Sequence, residues 1–235
     1  MRVRHLALPT IACTLVTAFC AVVWHGFSLE GSRRVDVSPW VESAKTLGAG
    51  NVVSSIILGV RLMDTLVEVL VFAVAVLGVR YFLELPHGRA RAEEIPESHL
   101  VAVSSAILLP LILVIGGYVT IYGHLSPGGG FSGGAIVATG LLLVAAGVGV
   151  ERISARFRET ALERAEWGTL VGLLGLLLLP IPFGRLPLTD LLPRGTPGAL
   201  LSGGTVLPYN LLIGTKVVLG SWVIIHHFLR HRGEI

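Results

Sequence analysis

The chain has 235 residues, of which 53% are hydrophobic and only 14% are charged, and its mean hydropathy is +0.78. Soluble domains carry about a quarter charged residues, so this composition excludes an ordinary soluble protein and indicates an integral membrane protein. The formal net charge of +3 is too small, and the basic residues are too scattered, to predict a nucleic-acid partner.

The first 24 residues, MRVRHLALPTIACTLVTAFCAVVW, combine a basic start with a long apolar run. This pattern resembles a signal peptide, but the run is longer than a usual signal core and no A-x-A cleavage site follows it. We therefore predict an uncleaved first span from Leu6 to Trp24, with cleavage as the alternative, and a polar outer loop after it. Cys13 and Cys20 lie on this predicted helix and favour apolar packing over a disulfide.

The apolar block from Asn51 to Phe82 is too long for one span. As a continuous helix it would measure about 48 Å, whereas the hydrocarbon core of a bilayer is about 30 Å thick. The segment GVRLMD, residues 59–64, interrupts the apolar pattern with a glycine and two opposite charges. We therefore predict a short helix or half-helix from Asn51 to Leu58, a break, and a second span from about Met63 to Tyr81.

The charged linker ELPHGRARAEEIPESH, residues 84–99, follows this block and is the only plausible internal boundary. It divides the chain into an N-terminal membrane segment, residues 1–98, and a four-helix membrane domain, residues 99–235. Within the second part, ERISARFRETALERAEW has apolar residues at helical spacing among charges, which predicts a separate surface helix. Four spans are predicted there, at residues 100–122, 131–150, 167–181 and 205–228.

The predicted fold is therefore an all-α, polytopic integral membrane protein of about six transmembrane helices, with a broken or half-helix before the second span. Loop charges predict its orientation. With the N-terminus inside, eleven Lys and Arg residues fall on the inner side and five on the outer side. Because positive charge accumulates on the cytoplasmic side, we expect both termini in the cytoplasm and the chain in the cell membrane.

Three ionisable residues near the predicted break are candidates for an ion or proton path: Arg61, Asp64 and Glu68. A charge inside hydrocarbon costs at least about 2.5 to 3.5 kcal/mol, so each needs a partner, water or a function. Arg61 neutralises one carboxylate but not two. The alternative for Arg61 and Asp64 is solvation at the outer interface. Glu68 lies one turn deeper, where a functional role is favoured.

Lys216 and His124 complete the candidate path. Lys216 lies near the middle of the last span, which fits either a proton relay or a permanent ion pair, and both require a carboxylate partner. His124 lies at the end of the third span, where it either relays protons or caps the helix. The histidines of HHFLRH, residues 226–231, show no metal-ligand pattern, and no nucleophile or cofactor set is recognisable. We therefore predict no enzyme activity, no cofactor and no metal.

Between the third and fourth spans lies GHLSPGGGFSGG, residues 123–134, with no charged side chain. Pro127 is expected to stop the helix, the glycines permit turns that a Cβ would block, and Phe131 begins the return span. The motif predicts a tight helical hairpin at the outer end of these spans. Non-helical backbone at such a place is tolerated only where protein or water covers it.

This motif resembles the signature of the MnhB-like domain of the Mrp-type multisubunit sodium/proton antiporters, which reads G-H-x-x-P-G-G-G-F-x-x-G. The matching positions are Gly123, His124, Pro127, Gly128, Gly129, Gly130, Phe131 and Gly134. The resemblance extends over about residues 100–229. Residues 50–82 are similar to the C-terminal part of the large subunit of these antiporters, with Arg61, Asp64 and Glu68 on motif positions and Ser54 in place of the motif's second asparagine.

The resemblance implies a non-catalytic membrane subunit of a multisubunit Na⁺/H⁺ antiporter that contributes to the ion or proton path and to assembly. Its implied partners are other membrane subunits, the lipid bilayer, and Na⁺, H⁺ or both. Similar pieces occur in ion-pumping membrane-bound hydrogenase and sulfur-reducing complexes, and the segment around Lys216 looks closer to those relatives. Two alternatives are therefore a membrane component of an energy-converting hydrogenase or related respiratory complex, and a purely structural bridging subunit.

Overall fold

Every regular element in the part of the chain that the structure describes is helical. The structure is a computed structural model, and it describes residues 17, 36, 38–84, 98–154, 159–186 and 189–230. The predicted first span and most of the charged linker lie outside the described residues. Residues 1–38 and 39–235 form separate units, and the predicted division at residue 98 stays a prediction.

Eight α-helices cover most of the described chain, together with a π-helical segment, Ile56–Val60, and a short 3₁₀ helix, Ile181–Phe183. The helices are α1 Ser38–Leu47, α2 Val52–Ser55, α3 Leu62–Glu84, α4 His99–Ile121, α5 Gly130–Val148, α6 Val150–Ser154, α7 Glu159–Leu178 and α8 Val206–Arg230.

Five of the helices in the described ranges are long and apolar enough to cross a membrane. They correspond to the predicted second to sixth spans, with ends that differ by up to a few residues, and their 19 to 24 residues measure about 28 to 36 Å of helix, the thickness of a bilayer core. The all-α, polytopic fold is confirmed.

The predicted surface helix is wrong as a separate element. Its second half belongs to α7, which runs without a break from Glu159 to Leu178 and carries the fifth span. The residues ETALERAEW are mostly strong helix formers and include no proline, so nothing in them ends a helix before the apolar part begins. The charged residues therefore form the first turns of a membrane-length helix.

Helix α8 is the centre of the bundle and contacts each of the other four long helices. Its residues Tyr209, Ile213 and Val217 are almost fully buried and pack with Val69 of α3 and Leu173 of α7. Helix α4 lies at the edge, where Ile107 and Val114 are among its many exposed apolar side chains. Exposed apolar residues on a membrane-length helix fit contact with lipid or with another membrane helix.

Candidate functional site

The predicted break in the second membrane segment is confirmed, and its geometry is defined. Helix α2 ends after four residues, the π-helical segment follows, and Arg61 interrupts the helix with φ −110° and ψ 27°. The hydroxyl of Thr65 donates to the carbonyl of Ile57 at 2.9 Å, which satisfies a backbone acceptor in the segment before the break. A polar side chain thus replaces part of the hydrogen bonding that the break removes.

Arg61 and Asp64 pair with each other at this break. The Nε of Arg61 donates to Oδ2 of Asp64 at 2.7 Å, and its Nη2 lies 2.5 Å from the same oxygen. The two side chains are 65% and 56% exposed on this chain. Because both donations go to one carboxylate, Asp64 takes up the charge of Arg61.

Glu68 is left without a counter-charge. In the described ranges its carboxylate makes no hydrogen bond and no ion pair. It lies about 9 Å along α3 from the start of that helix and is exposed on this chain, with the exposed apolar side chain of Val71 one turn further along the same face. A lone carboxylate on an apolar, membrane-length helix requires a proton, a cation or a neighbouring chain to compensate it.

Beside Glu68 lies a cleft of about 310 Å³. Most of its lining is apolar, and its polar groups include Ser54 before the break, the backbone of residues 128–130 in the glycine hairpin, and Asn210 of α8. The cleft is open to the surface of this chain at Glu68, and its inner walls are Leu58 and Ile213. Glu68, the broken helix and the glycine hairpin therefore form one site.

Two asparagines hold the glycine hairpin in place. The side-chain amide of Asn51 donates to the carbonyls of Gly123 at 3.0 Å and Ser126 at 2.7 Å, while its oxygen caps α2 by accepting from the Val53 N–H. The oxygen of Asn210 accepts from the N–H of Gly130 at 2.9 Å, at the start of α5. The hairpin is thus tied to the broken helix on one side and to α8 on the other.

The hairpin glycines are required by close backbone contacts. A Cβ at Gly130 would overlap the carbonyl oxygen of Asn210, and a Cβ at Gly133 would overlap the hydroxyl of Thr120 on α4. Helix α4 ends at Ile121, so the prediction that Pro127 stops it is wrong: the chain turns at Tyr122, whose carbonyl accepts from the N–H of Leu125. The return helix begins at Gly130, one residue before the predicted Phe131.

His124 belongs to the hairpin, and its side chain is fully buried. Its carbonyl accepts from the N–H of Asn51 at 3.0 Å, which adds a backbone contact between hairpin and broken helix. Both ring nitrogens are buried and have no hydrogen-bond partner among the described residues. The backbone of His124 therefore has a structural contact, while its imidazole remains available for a further partner.

Lys216 forms a buried ion pair with Glu166 of α7. The Nζ of Lys216 lies 2.5 Å from Oε1 of Glu166, and the side chains are 1% and 11% exposed. Lys216 lies about 15 Å from the start of α8, near the middle of that helix, whereas Glu166 lies about 10 Å from the start of α7 and near the beginning of its membrane-length stretch, Arg164–Phe183. The sequence predicted a carboxylate partner for Lys216 but not its identity.

The five predicted path residues occupy three places. Arg61, Asp64 and Glu68 lie along the broken helix. His124 lies in the neighbouring hairpin, and Lys216 lies on the side of α8 that faces α7. Sequence reasoning missed Glu166, Asn210 and the clamping role of Asn51. Among the described residues, no group of three His, Cys, Asp or Glu side chains is arranged to hold a metal ion.

Comparisons with known proteins give a consistent set of relatives. A family model described as a domain related to the MnhB subunit of Na⁺/H⁺ antiporter matches residues 100–223, just over half of the chain. The chain is also similar to one in the structure of the membrane-bound sulfane sulfur reductase, an archaeal respiratory membrane complex. That likeness has 27% identity and a TM-score of 0.73, and it covers 93% of this chain and 97% of the other.

A second similar structure is that of the Mrp complex from Dietzia sp. DQ12-45-1b, with 22% identity and a TM-score of 0.71. The match covers 100% of this chain and 27% of that one, so the chain spans about a quarter of its length, and the likeness shows a shared fold. A comparison with curated proteins gave no match.

Proposed function

This chain belongs to the family of domains related to the MnhB subunit of Na⁺/H⁺ antiporter, and on that premise we propose that it is a non-catalytic membrane subunit of a multisubunit Na⁺/H⁺ antiporter. The family predicted from the glycine motif is confirmed. Its proposed partners are the other membrane subunits of the complex, with Na⁺ and H⁺ as the transported ions. The positive-inside charge distribution supports cytoplasmic termini in the cell membrane.

The observation that carries the proposed role is that the carboxylate of Glu68 has no counter-charge among the described residues and lies beside a mostly apolar cleft that contains a few polar groups. Arg61 is already paired with Asp64, and no other described residue pairs with Glu68, so we propose that its charge is compensated from the cleft or from a neighbouring subunit. A carboxylate at membrane depth costs at least about 2.5 to 3.5 kcal/mol, and either a proton or Na⁺ removes this cost. Glu68 is thus proposed to exchange H⁺ and Na⁺, with the Arg61–Asp64 pair biasing it electrostatically.

The other two predicted residues have supporting roles in this proposal. Lys216 responds as a positive charge that Glu166 holds in place, because the two charged atoms lie 2.5 Å apart in a low-dielectric interior and each affects the charge of the other. His124 contributes a buried imidazole within the hairpin. The hairpin itself fixes α4, α5 and α8 around the Glu68 cleft through Asn51 and Asn210.

The test is transport by the assembled complex carrying Glu68→Gln. We expect Na⁺-driven proton movement across everted membrane vesicles to be lost while all subunits still co-purify, because the amide keeps the shape but binds neither ion. Glu42→Gln is the matched control, since Glu42 is an exposed carboxylate on α1, paired with Lys45 and outside the membrane-length helices. Full antiport by the Glu68→Gln complex would refute the role.

A second candidate function is favoured by the likeness that covers 97% of a chain from an archaeal respiratory membrane complex. In that case the same Glu68 site works in an ion-translocating module driven by a redox enzyme. Purification of the native complex through a tag on this chain separates the two candidates: antiporter-like subunits alone support the antiporter, whereas iron–sulfur or nickel subunits support the respiratory complex. A purely structural bridge predicts instead that Glu68→Gln either disrupts assembly or has no effect.

A further inference from the structure

Four buried side chains in and around the glycine hairpin carry polar atoms that make no hydrogen bond with any described residue. They are Ser54, His124, Ser202 and Asn210, each no more than 3% exposed, and the unsatisfied atoms are two hydroxyl oxygens, both imidazole nitrogens and one amide nitrogen. A buried polar group to which nothing bonds destabilises the folded protein. Folded proteins keep few of them and usually satisfy them with buried water.

Separate contacts link these four side chains to the Glu68 cleft and to the loop before α8. Ser54 and Asn210 line the Glu68 cleft itself. Behind the cleft, His124 is joined to the start of α2 by the 3.0 Å bond between its carbonyl and Asn51, one helical turn from Ser54. The other side of the imidazole faces the loop before α8, where a Cβ at Gly203 would lie 3.6 Å from the ring.

Beyond His124, the loop before α8 leads to Asp190 and to the half-exposed Arg194. Ser202 precedes Gly203, and Gly204 lies so close to Asp190 that a Cβ there would overlap its carboxylate. One oxygen of Asp190 accepts from the N–H of Thr205 at 3.1 Å. The other oxygen is buried without a hydrogen bond among the described residues, 3.7 Å from the half-exposed guanidinium of Arg194.

We propose that these residues hold a file of water molecules that carries protons between the Glu68 cleft and Asp190, with His124 as the side chain through which each proton passes. A neutral imidazole accepts a proton at one ring nitrogen and releases the proton of the other nitrogen to the next water, so charge is conserved at each step. Rotation of the ring about its Cβ–Cγ bond then turns the protonated nitrogen back toward its original side, which resets the residue. This inference rests on the proposed role of Glu68 and adds the route by which its proton leaves.

The first test measures whether the region is hydrated, and it does not depend on transport by a mutated proton path. In the assembled complex, with other cysteines replaced by serine, Ser202→Cys is exposed to Ag⁺, a small ion that reaches thiols through water but not through apolar packing. Leu173→Cys is the control, since Leu173 is 4% exposed and lies in an apolar cluster. We expect fast modification at Ser202→Cys and none at Leu173→Cys, and equal protection of both would overturn the proposal.

The second test separates this route from the role of Glu68. We expect His124→Gln to lower the antiport rate at least about tenfold in an intact complex, because glutamine does not exchange protons between two nitrogens. If Glu68→Gln abolishes antiport while His124→Gln leaves it unchanged, the route is wrong and the role of Glu68 stands. If Glu68→Gln leaves antiport unchanged, the proposed function itself fails. Where His124→Gln disrupts assembly, the Ag⁺ result decides.

Discussion

The buried ion pair between Lys216 and Glu166 gives a prediction with a defined magnitude. Lys216 is 1% exposed and the Glu166 side chain 11%, so removing either partner leaves the other charge with little solvent. Breaking a buried pair in this way costs about 3 to 5 kcal/mol, whereas replacing both partners by apolar residues of similar volume is close to neutral. Since each 1.4 kcal/mol is a factor of ten, Lys216→Met alone should lower the folded-to-unfolded ratio roughly a hundredfold or more.

The measurement is a double-mutant cycle of Lys216→Met and Glu166→Met, followed by SDS-induced unfolding of the purified protein. We expect each single variant to be strongly destabilised and the double variant to lie within about 1 kcal/mol of the wild type. A double variant whose loss equals the sum of the two single losses would refute the reasoning. Antiport by the stable double variant then distinguishes the two roles of the pair: it is retained if the pair is structural and lost if the pair moves protons.

The hairpin and the break supply three further predictions. Gly130→Ala should destabilise the protein by about 1 to 3 kcal/mol or more and reduce complex yield on size exclusion, while Gly78→Ala, where a Cβ meets nothing within 4 Å, should not. Asn51→Ala removes two side-chain bonds to the hairpin and a helix cap, so the unfolding free energy should fall by about 2 to 3 kcal/mol in the same SDS titration. Arg61→Gln breaks a pair with Asp64 that is more than half exposed, so its effect on stability should stay below about 1 kcal/mol although antiport falls.

The broken helix could be predicted from the sequence because the apolar block is longer than the bilayer core is thick. The apolar block from Asn51 to Phe82 exceeds the bilayer core, and residues 59–64 combine a glycine with two opposite charges inside it. The π-helical segment could not be predicted, because it depends on the Thr65 hydroxyl reaching the Ile57 carbonyl eight residues earlier. Periodicity in the sequence specifies the faces of a helix, not the carbonyl to which a side chain donates.

Glu166 was not predicted as the partner of Lys216 because it lies in a segment that contains several other charged residues. In ERISARFRETALERAEW it is one of several carboxylates beside basic residues, a pattern typical of a solvated face. Only the packing of α7 on α8 brings it to Lys216, 50 residues later in the chain. One feature of the sequence indicated such a partner: a lysine near the middle of a span requires a carboxylate, and Glu166 directly precedes a predicted span.

The contact between Asn210 and the hairpin could not be predicted from the sequence either. In NLLIGTKVVLG it is one polar residue near the start of an apolar span, which fits a helix end as well as a clamp. Its bond joins it to Gly130 across 80 residues of sequence. The glycine motif, in contrast, was recognisable from its own letters, because only glycine permits the backbone approaches at positions 130 and 133.

The central claim is that Glu68 binds H⁺ and Na⁺ alternately, and carbodiimide labelling of the native complex tests it most directly. Hydrophobic carbodiimides modify a carboxyl group in its protonated form within an apolar setting. We predict that Glu68 is modified in membranes and that Na⁺ slows the reaction by competing with the proton, while Glu68→Gln abolishes labelling of this chain at that position. Modification of Glu68 at a rate independent of Na⁺ concentration would contradict the account.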